Sequence, residues 1–91
     1  MVEVIEMTDE DKQTLGGMLS LMVEDGFSVD LFTLWKVGHE GPIYYCAIQS
    51  NRLRTSPEAN SRCLKADTMI EAVRKAAKVA QWMLAQPLAN E

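Results

Sequence analysis

The chain predicts a two-layer α+β domain in the order α-β-β-β-α, with a three-stranded antiparallel meander and both helices on one face. Three observations carry this. Residues from Asp67 and Thr68 to about Ala85 read as a capped amphipathic helix, three short strand-like runs precede it, and an acidic segment with an apolar stripe stands before those. Ninety-one residues suffice for one domain, residues 1–91 with an ordered core of about 8–86, and leave little room for an enclosed active site and a second module.

Val2 to Met7 alternates only in part and is read as either a frayed extension or a brief edge strand. Thr8 or Asp9 caps the first helix, whose opening turn is acidic. Leu15, Met18, Leu19, Met22 and Val23 form its apolar stripe up to about Glu24. Gly16 and Gly17 lie inside this helix at about 1 kcal/mol each relative to alanine, which implies close packing against another backbone or a break. Of the two, packing is preferred. Asp25-Gly26 supplies the stop.

Alternation then begins. Phe27, Val29, Leu31, Thr33, Trp35 and Val37 are expected to share the core face of strand one, and Gly38 to Pro42 make a hairpin loop. Ile43 to Gln49 is strand two, rich in aromatic and β-branched residues. Ser50 to Asn60, polar and carrying Pro57, is mostly loop, and Ser61 to Ala66 is a weaker third strand. In the last helix Thr68 and Glu71 have capping-box spacing, while Ile70, Val73, Ala77, Ala80 and Leu84 recur at helical spacing. The alanines allow this helix to lie flat on the sheet, and Pro87 ends regular structure.

Composition narrows the function classes. No run approaches the roughly 20 apolar residues of a membrane span, and the N-terminus is acidic where a signal peptide is basic, so a cytoplasmic protein is expected. Cys46 and Cys63 lack Cys-x-x-Cys spacing and are expected as buried free thiols. With the lone His39 they are too few for a zinc site. The net charge of −4 divides into −7 over residues 1–30 and +3 over residues 31–91. That asymmetry suits charge-steered docking, although acids near a helix N-terminus also simply complement its dipole.

No phosphate-binding glycine loop, nucleophile elbow or metal-ligand motif is present, and His39 beside Glu40 reads as a turn histidine. A non-enzyme without cofactor or metal is expected. If both helices cover the odd face of strand one, Phe32 and Leu34 point away from them, and strand two is apolar on both sides. The second sheet face is then too apolar to stay wet. It becomes the expected partner-binding surface, with Phe32, Leu34, Tyr44 and Tyr45, unless the N-terminal segment or the 50–60 loop covers it. A basic edge of Arg52, Arg54, Arg62, Lys65, Arg74, Lys75 and Lys78 offers the alternative of a nucleic-acid-binding module, against which stand the acidic chain and the lack of aromatics among these bases. A small-molecule site in the helix–sheet seam has only Trp35 and Trp82 to suggest it.

Two resemblances follow from these elements. The order of elements, Gly41-Pro42 between strands one and two, and the segment Thr68 to Ala77 with its alanines resemble the double-stranded RNA-binding domain. The three lysines of that family's second-helix motif, which grip phosphates across the groove, fall here on Met69, Ile70 and Val73. The resemblance therefore implies the scaffold and not the chemistry, as in a relative that binds protein. Residues 15–85 also resemble small phage-encoded α-β-β-β-α sandwich proteins, in the Gly26-Phe27 strand start and the Ala66-Asp67-Thr68 opening of an alanine-rich last helix. This implies a phage or prophage protein in the host cytoplasm. Such a protein would act by protein–protein interaction, for example by inhibiting a host or defence factor. Dimerisation is expected.

Overall fold

In the computed structural model, residues 8–90 are described. The expectation for residues 2–7 lies outside them. The elements run α1 (Asp9–Glu24), β1 (Phe27–Leu34), β2 (Ile43–Ser50), β3 (Ser61–Ala66) and α2 (Met69–Leu84), with one 3-10 turn at Pro57–Ala59. The sheet is antiparallel in the order β1-β2-β3, and both helices pack on one face, as the sequence predicts.

Thr8 caps α1, its hydroxyl accepting from the Asp11 amide at 3.1 Å, and Asp9, Glu10 and Asp11 place negative charge against the positive end of the helix dipole. The helix stops where Asp25 N–H bonds back to Leu21 O at 2.9 Å. Gly26 then takes φ +90°, a left-handed conformation suited to glycine. Gly16 and Gly17 correct the reading made of them. The helix runs through both without a break, and a Cβ built at either meets nothing within 4 Å, so no backbone approaches them closely.

Strand alternation places Phe27, Val29 and Leu31 under the helices, opposite Ser50, Ile48 and Cys46 of β2 in the ladder. The strand ends at Leu34, however. Trp35 (59% exposed) and Val37 (106%) belong to the loop and not to the core face. The alternation in sequence outlasts the strand because β2 begins only at Ile43, which pairs with Leu34, so residues beyond Leu34 have no ladder partner.

Thr68 caps α2 by accepting from the Glu71 amide at 3.3 Å, but the Glu71 carboxylate turns to Arg74 at 2.7 Å and so forms half of the expected box. Ala72, Val73, Ala76, Ala80 and Met83 are the buried stripe. It lies slightly to one side of the predicted one, leaving Ile70, Ala77 and Leu84 half-buried. Three alanines at the centre let α2 approach the sheet closely, and Met83, Phe27, Ile48 and Cys46 fill the space around them.

The 51–60 loop is organised from within and from the far end of the chain. Asn60 Oδ1 accepts from the Arg54 amide at 2.6 Å, and Ala59 is fully buried. Thr55 N–H donates to Pro87 O and Ala89 N–H to Leu53 O, each at 3.1 Å, flanking a single antiparallel bridge between Arg54 and Leu88. Pro87 therefore ends the helix region without ending regular pairing. At the turn itself Ser56 Oγ donates to Glu58 Oε2 at 2.6 Å, a hydrogen bond that holds this carboxyl below its ordinary pKa.

Candidate functional site

The strand register assigns the face turned away from the helices row by row. Ser28, Gln49 and Ser61 form one row; Asp30, Ala47 and Cys63 the next; Phe32, Tyr45 and Lys65 the third; and Leu34 and Ile43 close it. The face is graded, polar at one end and apolar at the other. Phe32 and Tyr45 are directly opposed, and their rings stack with centroids 5.0 Å apart and planes 2° from parallel. Leu34 beyond them is 50% exposed. At the polar end a shallow concavity of about 420 Å³ lies over the first two rows, and Ser28 Oγ donates to Asn51 Oδ1 at 2.9 Å at its margin.

Of the four partner-binding residues expected from sequence, Phe32, Leu34 and Tyr45 share this face. Tyr44 does not. It pairs with Thr33 and packs against the helix-covered core, because neighbouring residues of a strand point to opposite sides. Ile43 is 8% exposed and lies outside the main core cluster, at the apolar end of the sheet.

The seven bases of the expected edge are dispersed. Lys65 and Lys75 line a cleft of about 600 Å³ beside the start of α2, together with Lys36, His39, Asp67 and Glu71, and Lys75 Nζ donates to Lys65 O at 3.0 Å. Arg74 and Lys78 border a groove between α1 and α2 that also contains Asp25. Arg62 lies at the rim of the polar concavity, and Arg52 is exposed in the turn after β2. Arg54 is part-buried, its guanidinium donating to Gln86 O at 3.1 Å, and Arg54 Nε is buried without a hydrogen-bond partner among the described residues. This arginine fastens the end of the chain to the loop. Contrary to the expectation of no aromatics among the bases, Lys65 stands directly opposite Tyr45.

His39 sits in the β1–β2 loop with Nδ1 2.9 Å from Gly41 O, a local turn contact. Among the described residues no group of three metal-ligating side chains comes together. Trp82 is 44% exposed, and neither it nor Trp35 belongs to the core between helices and sheet. The two cysteines separate. Cys46 is fully buried, as expected, whereas Cys63 is exposed because β3 is an edge strand whose odd positions face away from the helices. Side chains on opposite faces cannot form a disulfide.

Burial pushes the Cys46 thiol up to about 11, and Cys63 and Asp30 nearby add to the shift. A thiol whose folded pKa lies above its ordinary value of 9.0 contributes stability that is full below pH 9 and lost as pH rises towards 11. The expected loss over that window is on the order of 1–2 kcal/mol. Urea melts between pH 8 and 11 check this against Cys46→Ala, which should lose less over the same interval. In the native protein a thiol reagent should modify Cys63 quickly and Cys46 only on unfolding.

No protein-family model, curated protein or solved structure matches the chain.

Proposed function

We propose that this is a non-enzymatic binding protein, acting by protein–protein interaction through the sheet face opposite its helices. The observation that supports it is the stacked Phe32–Tyr45 pair with half-exposed Leu34 beside it, on a face to which neither helix contributes core packing. Aromatic residues on a rigid strand lose little conformational entropy on docking and bury large areas, which is why they anchor interfaces. Polar Ser28, Gln49 and Ser61 at the other end supply the hydrogen-bonding rim that such contacts use. The resemblance to small phage sandwich proteins supports a setting in the host cytoplasm, with a host or defence protein as the target.

The test is capture from nuclease-treated bacterial lysate by tagged wild type and by Phe32→Asp, read by mass spectrometry. A protein retained by the wild type and lost by at least tenfold with Phe32→Asp is the expected result. Phe32 is outside the core cluster but stacked on Tyr45, so the variant should lose about 1–2 kcal/mol and remain folded, which circular dichroism checks. Equal capture by both forms would sink the proposal.

A second reading, nucleic-acid binding, is favoured by the cleft where Lys36, Lys65 and Lys75 converge from three elements and by the neighbouring Tyr45. Asp67 and Glu71 in the same cleft oppose it. Capture that disappears on nuclease treatment would turn the choice to this reading.

A further inference from the structure

The charges on the open face have an arrangement that the proposed binding role does not require. The central strand contributes Ile43, Tyr45, Ala47 and Gln49 and no charge, while β1 contributes Asp30 and β3 contributes Lys65, one acid and one base on opposite edges. Within a chain they are two strands apart. About 4.8 Å between neighbouring strands keeps them well beyond salt-bridge reach.

Two copies packed face to face about a two-fold axis along β2 lay each β1 over the partner's β3. The row of Asp30 then opposes the row of Cys63, and Lys65 stands one row along, offset by about 6.6 Å across an intersheet gap of about 10 Å, with the two side chains pointing towards each other and the long lysine spanning most of the gap. The same operation brings the second acid and base together, so the pair forms twice. It also sets the two Tyr45 side chains over each other on the axis and lays each Phe32 over the partner's Lys65.

We infer that the open face is the interface of a symmetric homodimer, in which Asp30 of each copy pairs with Lys65 of the other around a shared aromatic centre. The inference rests on the reading of this face as a docking surface and names a second copy as its occupant. Three strands of about eight residues give a face of roughly 14 by 26 Å. Two such faces amount to roughly 700 Å² of flat area, below the roughly 1,000 Å² of a standard specific interface, so the dimer is weak and concentration-dependent.

The experiment is sedimentation equilibrium of the full chain from about 10 µM to about 1 mM, on wild type, Asp30→Lys, Lys65→Glu and the double exchange. Wild type is expected to dimerise within this range, each single reversal to weaken association at least about tenfold by setting like charges together, and the double exchange to recover most of it. Recovery cannot arise within one chain, because the two residues do not touch there, and circular dichroism confirms that each variant is folded. A wild type that stays monomeric throughout, or a double exchange no better than the singles, overturns the inference. If that monomer still captures a protein through Phe32, the inference falls and the proposed binding role stands. A dimer with charge recovery but no captured protein upholds the inference and sinks the role.

Discussion

Replacing Phe27 with alanine is expected to destabilise the domain by about 3–5 kcal/mol. Phe27 is 2% exposed and begins β1 immediately after the left-handed Gly26, where the chain leaves α1 and enters the sheet. Its ring sits in one cluster with Met22 from the end of α1, Ile48 from β2 and Met83 from α2. Alanine fills little of the vacated volume. Against a total stability of about 5–15 kcal/mol for a domain of this size, the variant should be partly unfolded at moderate temperature. Urea denaturation followed by circular dichroism measures it, with the midpoint moving and the slope unchanged. A loss below 1 kcal/mol would mean that the cluster does not hold the two layers together.

Gly16→Ala with Gly17→Ala should act in the opposite direction, raising stability by about 1–2 kcal/mol. Both glycines lie in a continuous helix, exposed, with open space where the methyl groups would go. Alanine then removes backbone freedom from the unfolded chain and meets no steric opposition in the folded one. At this chain length the gain corresponds to a rise in Tm of roughly 4–8 °C per kcal/mol. No rise would show that the helix is not formed through these positions in solution. A rise accompanied by lost capture of the partner would reveal that the bare stretch of α1 is itself a contact.

What the sequence discloses here follows from which interactions are local. Caps, turn glycines and strand alternation act over a few residues, which is why Thr8, Thr68 and Gly26 could be placed and why β3 was bounded correctly at Ser61 and Ala66. Alternation alone also separated Phe32 and Leu34 from the core. It sets Tyr44 and Tyr45 on opposite sides of strand two as well, but which of them faces the helices follows only from the ladder register. The glycine pair misled because sequence gives the cost of a glycine without showing whether any neighbour approaches it. The bases misled for a related reason. Their grouping depended on how α2, β3 and the loop meet in space, and Arg54 is spent on a carbonyl more than thirty residues away in the chain. The register that opposes Lys65 to Tyr45 and sets Asp30 on the far edge is likewise a property of the sheet, legible only once the ladder is known.

The bridge between Arg54 and Leu88 has a kinetic meaning as well as a static one. The first rung of the meander joins Leu34 to Ile43 across one short loop, whereas Arg54 meets Leu88 only after β3 and the whole of α2 have been laid down. Its closure carries the larger entropy penalty and few apolar contacts to offset it, so it forms last and opens first. During synthesis the 51–60 segment emerges from the ribosome well before the residues at 87–89 that bond to it. Until residue 88 joins it, the loop that carries Arg52 and Arg54 is held by its internal contacts alone, Asn60 to Arg54 and Ser50 to Arg52, without this outer clamp.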